Sequence, residues 1–74
     1  MIEEFSTVRL KKSIPGNDIP VGSIGTIVMV HHLPFEAYEV EFFDEEGNTL
    51  RDTQSRNAVF TLDENYISLL SPPK

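Results

Sequence analysis

The stretch Pro20-Val21-Gly22-Ser23-Ile24-Gly25-Thr26-Ile27-Val28-Met29-Val30 constrains the fold of this chain most. Two glycines three residues apart lead into an unbroken run of β-branched and apolar side chains. Glycine tolerates positive φ and close backbone approach, which suits a tight turn or a bulge. The run that follows is β-prone and apolar on both sides. Ile24, Val28 and Val30 share one parity, and Ile27 and Met29 share the other. This pattern predicts a bent strand packed on both faces, the most buried strand of a small β-barrel. The Gly-x-x-Gly spacing does not make a phosphate cradle. A P-loop needs a lysine after its second glycine and a helix beyond, whereas here Thr26 and a strand follow.

The segments on either side read as further strands. Val8 and Leu10 face one way and Arg9 and Lys11 the other, so residues 7–11 form a half-buried strand. Phe5 has the wrong parity and joins Val8 and Leu10 only across an irregularity. Residues 12–20 carry two prolines, a glycine and Asn17-Asp18, which spells a loop. Ile14 and Ile19 fold back to plug the barrel mouth, and the loop is read as a packed connector rather than a binding loop. Tyr38-Glu39-Val40-Glu41-Phe42-Phe43 is the clearest alternation. Tyr38, Val40 and Phe42 point inward, and Glu39, Glu41 and Phe43 point outward. Asp44-Glu45-Glu46-Gly47-Asn48 turns the chain, with Gly47 supplying positive φ, and Asn48-Thr49-Leu50 begins a return strand. The polar run Arg51–Asn57 is an extended loop or a frayed edge. Ala58–Leu62 forms a strand with Ala58, Phe60 and Leu62 inward. Asp63-Glu64-Asn65 forms a 3₁₀ turn capped by Asp63. Tyr66–Leu70 closes the barrel, and residues 71–74 are a tail. The expectation is one all-β domain over residues 1–74, with five to six antiparallel strands. No cysteine is available for a disulfide or a thiolate metal site.

With 12 acidic against 6 basic residues, the formal charge is −6. Nucleic-acid binders concentrate positive charge to neutralise phosphates, so this balance points to a basic protein partner or to a solubilising surface. Six of the acids, Glu36, Glu39, Glu41, Asp44, Glu45 and Glu46, fall within residues 36–46, where there is no lysine or arginine. Tyr38 and Phe43 are interleaved among them. Phe43 lies on the acidic face, where an exposed aromatic can anchor a partner; the alternative is a solvated hairpin with Phe43 covered by residues 51–57. The candidate partner-binding set is therefore Glu39, Glu41, Phe43, Asp44, Glu45 and Glu46.

No nucleophile–base pair or spaced carboxylate pair in a cleft is legible, so no catalytic residue is assigned and no enzyme activity is expected. His31 and His32 are adjacent and point to opposite sides of an extended chain, so they chelate poorly. No metal and no cofactor are expected. Met1-Ile2-Glu3-Glu4 lacks the basic and apolar regions of a signal peptide, and no apolar run reaches membrane-span length. A cytoplasmic location without membrane contact follows as the expectation.

Taken together, Thr7-Val8-Arg9-Leu10, Val21-Gly22-Ser23-Ile24-Gly25-Thr26-Ile27-Val28, Tyr38-Glu39-Val40-Glu41-Phe42, a glycine turn and Ala58-Val59-Phe60-Thr61-Leu62 resemble a family of small bacterial domains of unknown function. The resemblance covers nearly the whole chain and implies an SH3-like barrel. The chain departs from it at Arg51–Asn57, where family members have a shorter connection. More distantly, the layout is similar to KOW-type barrels of ribosomal and transcription proteins. It is also similar to photosystem I accessory barrels, which Phe60-Thr61-Leu62-Asp63-Glu64 echoes. These likenesses transfer no catalytic residue. The KOW likeness implies nucleic-acid binding as the alternative function, for which only Arg9, Lys11 and Lys12 cluster. An electron-transfer docking role would call for a basic surface toward acidic ferredoxin-like partners, and this chain is acidic.

Overall fold

A computed structural model describes residues 1–73. Five strands form in chain order: β1 (Thr7–Leu10), β2 (Ile24–His31), β3 (Ala37–Phe43), β4 (Phe60–Leu62) and β5 (Ile67–Ser71). A 3₁₀ turn, Glu64–Tyr66, joins β4 to β5. All pairings are antiparallel, in the order β4-β3-β2-β1-β5. The chain is thus all-β, as its alternations require. No helix among the described residues is long and apolar enough to cross a membrane.

The sheet curls so that all five strands contribute to one core. Val8, Leu10, Ile27, Tyr38, Val40, Phe42, Phe60, Leu62 and Ile67 are buried together, with Ile2 and Ile19 added from the flanking segments. Ile19 and the partly buried Ile14 cover this core from the loop before β2, as expected. The curl does not become a closed barrel. β4 pairs only with β3 and β5 only with β1, so the final strand leaves the sheet open. With three residues β4 has little ladder to offer, and the 3₁₀ turn occupies the connection where a hairpin would have paired β4 with β5. Asp63 caps that turn as anticipated, its Oδ1 accepting the Asn65 N–H at 2.8 Å. The expected return strand at 48–50 shrinks to a bridge between Phe43 and Thr49, which leaves five strands. Ser71 belongs to β5 rather than to a tail, and Lys74 lies outside the described residues.

β2 differs from its expected pattern. Ile27 pairs with Val40 but Met29 pairs with Glu39, which leaves Val28 as an extra, bulged residue. The bulge reverses the parity beyond it. Gly25, Ile27 and Val30 therefore meet the inward Phe42, Val40 and Tyr38, while Ile24 and Met29 face outward. The most buried strand is consequently β3, whose Tyr38, Val40 and Phe42 are fully enclosed. Gly25 is fixed by close packing: a Cβ there would come within 2.7 Å of the Glu41 carbonyl oxygen and 2.8 Å of the Phe42 ring. Gly22 instead supplies a turn at φ 96°.

The N-terminal segment also departs from expectation. Phe5 takes a left-handed conformation, φ 68°, with its side chain exposed and its N–H donating to the Ile27 carbonyl at 2.7 Å. Ile2 enters the core in its place.

Candidate functional site

Strand alternation decides which side chains β3 offers to the outside. With Tyr38, Val40 and Phe42 in the core, Glu39, Glu41 and Phe43 must emerge on the opposite face. The antiparallel register then gives each a neighbour: Glu39 lies beside Met29 and Thr61, Glu41 beside Thr26, and Phe43 beside Ile24. All six candidate residues share this ribbon and the turn that ends it.

The carboxylates are not equivalent. Glu39 is hydrogen-bonded to the ring of His31, two positions beyond its cross-strand partner. Glu41 accepts a hydrogen bond from the Thr49 hydroxyl at 3.2 Å. Asp44 organises the turn. Its Oδ1 accepts the Asn48 N–H at 2.8 Å and the Glu46 N–H at 2.9 Å, and its Oδ2 accepts the Asn48 side-chain amide at 3.3 Å. The Asn48 backbone N–H, aided by the Asn48 side chain and the Glu46 amide, holds the Asp44 carboxyl below its usual value. Gly47 completes the turn at φ 84°. Glu45 and Glu46 are exposed and their side chains make no hydrogen bond or ion pair among the described residues.

Phe43 opens onto a groove. One register row on the outer face reads Arg9, Ile24, Phe43 across β1, β2 and β3. The turn at Pro20–Ser23 and the hairpin stand on either side of this row and enclose a shallow cavity of about 470 Å³. Its apolar lining comes from Pro20, Val21, Ile24, Phe43 and Leu50. Arg9 stands on one wall, and Asp44 and Glu45 stand on the other. Phe43 is half-buried here, beside Leu50, and the 51–57 segment takes no part in the lining. Sequence reasoning missed Arg9, Val21, Ile24 and Leu50. The outward position of Phe43 was the available signal, but finding its neighbours required the β1–β2–β3 register.

The polar run at 51–57 does different work. Asp52 is buried, and its carboxylate accepts the Asp18 N–H at 3.1 Å and the Ser55 N–H at 2.9 Å. Asp18 reciprocates by accepting the Thr53 N–H at 3.3 Å and the Thr53 hydroxyl at 2.5 Å. The segment is therefore a hydrogen-bonded loop rather than a frayed strand, and it fastens the connector before β2. The Ser55 N–H, followed by the Ser55 hydroxyl, holds the Asp52 carboxyl low. At the other end of β3, the Tyr38 hydroxyl accepts the Ile2 N–H at 3.2 Å and faces Glu64 at 3.0 Å and Glu36 at 3.2 Å. Burial raises the Tyr38 pKa above its usual 10.0, and the two carboxylates reinforce the effect.

Among the described residues, no three histidine or carboxylate side chains converge as a metal-binding group. Of the three clustered basic residues, Lys12 places its ammonium 4.4 Å from the centre of the Tyr66 ring, a cation–π contact. The arrangement around Phe43 is suited chemically to recognition: an apolar floor with opposite charges on facing walls. No curated protein and no solved structure matches the chain. Its residues 4–67, which span β1 to the first residue of β5, match the family described as Domain of unknown function (DUF4926), and the chain belongs to that family.

Proposed function

We propose that this domain is a non-catalytic protein-interaction module that binds a basic protein through its acidic hairpin, as an immunity- or inhibitor-like partner or as a small accessory subunit in the cytoplasm. The observation that carries the reading is the face made by Glu39, Glu41, Phe43, Asp44, Glu45 and Glu46. It gathers five of the chain's 12 acids beside a half-buried aromatic, with no lysine or arginine in residues 36–46. Phe43 supplies contact area, Glu45 and Glu46 supply charge not engaged elsewhere, and Asp44 holds the turn that presents them. Such a surface accelerates encounter with a basic partner and loses that advantage as salt rises.

Capture from a lysate of the source cells tests the reading. The wild-type chain is expected to retain a basic protein in stoichiometric amount, and a Glu41→Gln, Glu45→Gln, Glu46→Gln variant is expected to lose it. Equal retention by both would overturn the assignment. The nucleic-acid alternative is met by a gel-shift titration at low salt, where the proposal expects no complex. Of the cluster Arg9, Lys11 and Lys12 that would carry such binding, Lys12 lies over the Tyr66 ring.

A further inference from the structure

We propose that the groove between Pro20–Ile24 and the hairpin is the specificity pocket of this module, seating one large apolar side chain of an extended peptide whose neighbouring lysine or arginine reaches Asp44 and Glu45. The inference rests on the protein-interaction reading and adds the chemistry of the segment recognised.

Three features of the groove define that occupant. The first is its floor. The sheet register sets Ile24 beside Phe43, and the turn and the return segment add Val21 and Leu50. Val21 is 56% exposed and Ile24 36% exposed, so apolar area remains to be covered by a ligand. The volume, about 470 Å³, lies within the range of about 300–1,000 Å³ common to ligand sites. An apolar floor takes an aliphatic or aromatic side chain and gives a phosphate or sugar nothing to bond.

The second feature is the charge on the walls. Glu45 has no side-chain partner among the described residues, and Asp44 keeps lone-pair capacity on Oδ2, which accepts a single bond. This wall attracts a cation and repels a nucleic-acid backbone. The third feature is Arg9 on the facing wall, which makes no ion pair among the described residues. It repels a second cation and attracts a carbonyl or carboxylate. The two walls therefore orient the peptide, with its basic residue toward the hairpin and its acceptor toward β1. A uniformly basic surface satisfies only one wall. A second copy of this chain is disfavoured by the −6 charge that each copy carries.

Titration of the isotope-labelled chain with three capped synthetic peptides, followed through backbone amide shifts, tests the inference. The probes are Lys-Lys-Leu-Lys-Lys, the same peptide with alanine for leucine, and the same peptide with glutamine for every lysine. The leucine peptide is expected to move the amides of residues 21–24, 43–46 and 50, and to bind about tenfold more tightly than the alanine peptide. The glutamine peptide is expected to bind more weakly than either. Ile24→Ser is expected to abolish the leucine advantage while leaving binding of the alanine peptide intact. Val21→Ser, at an exposed position, provides the same readout if Ile24→Ser perturbs folding. Equal affinity for the leucine and alanine peptides would overturn the pocket and leave the acidic-hairpin reading standing. No shift at residues 39–46 with either cationic peptide would overturn both. Shifts at the groove that depend on protein concentration without peptide would replace the peptide with a second copy and overturn the inference.

Discussion

The two faces of β3 are built from alternate residues and meet opposite surroundings. The inner face, Tyr38, Val40 and Phe42, is fully enclosed within the core to which all five strands contribute. The outer face, Glu39, Glu41 and Phe43, is half-buried and meets His31, Thr49 and the groove beside the Pro20–Ser23 turn. A pleated strand separates the two sets by geometry alone, so one face can be tuned for stability and the other for recognition. β2 does not separate them as cleanly. Its bulge at Val28 leaves Ile24 and Met29 outside, and Ile24 is the point where the fold's spine becomes part of the groove floor.

The largest effect expected from breaking this division is on the inner face. Phe42→Ala removes a fully buried ring that lies 6.2 Å, centre to centre, from Phe60. Its cost is about 3–5 kcal/mol, a large share of the stability of a domain this small, read as the shift of a urea unfolding curve. Gly25→Ala comes next, at about 1–3 kcal/mol, because its new methyl group meets the Glu41 backbone together with the fully buried Phe42 and Val40 side chains. An unchanged unfolding midpoint for Gly25→Ala would mean that β2 and β3 lie farther apart than described.

Tyr38→Phe keeps the ring but removes the hydroxyl shared with Ile2, Glu36 and Glu64, for a loss of about 0.5–1.5 kcal/mol. The pH dependence supplies its signature. The folded pKa of Tyr38 is raised, so the stability linked to it is complete below pH 10.0 and is lost as pH rises through the folded value. Tyr38→Phe is expected to flatten that alkaline decline. Asp52 and Asp44 behave in the opposite sense. Their folded pKa values are lowered, so their contribution is complete above 3.8 and is lost as pH falls through the folded values. Asp52→Asn cannot accept the Ser55 N–H through its amide nitrogen. It is expected to lower the neutral-pH unfolding midpoint and flatten the acid limb in urea titrations at stepped pH.

The smallest effect on stability belongs to the outer face. Glu45→Gln with Glu46→Gln is expected to leave the unfolding free energy within about 0.5 kcal/mol while removing partner capture. A marked loss of stability from that pair would show that the hairpin serves the fold.

How much of this was legible in the sequence follows the regularity of each segment. β3 reads directly, because three strict alternations fix both faces. The cap at Asp63 and the turn at Gly47 read directly as well, since each rests on local chemistry. β2 does not, because a bulge adds a residue without leaving a mark in an apolar run. Ile2 was hidden behind Phe5, whose left-handed backbone redirects the chain in a way that no period predicts. The five acidic candidates were legible as charge, but their separation into Asp44, engaged by its own turn, and Glu45 and Glu46, unengaged, is a matter of hydrogen bonding. The groove was not legible at all, since Arg9, Val21, Ile24, Phe43 and Leu50 meet only through the register of three strands. The buried Asp52 was equally hidden within a run of polar residues that looked uniformly solvated.

The claim that the outer face of β2 and β3 is the working surface is tested most directly by one amide-shift map of the labelled chain mixed with the protein it captures. The account predicts perturbations concentrated at residues 20–24 and 39–46, with the inner positions of β3 moving only as neighbours of those residues. A map centred on the exposed Leu33–Phe35 tip or on Leu69 and Leu70 of β5, with the hairpin amides unmoved, would contradict it.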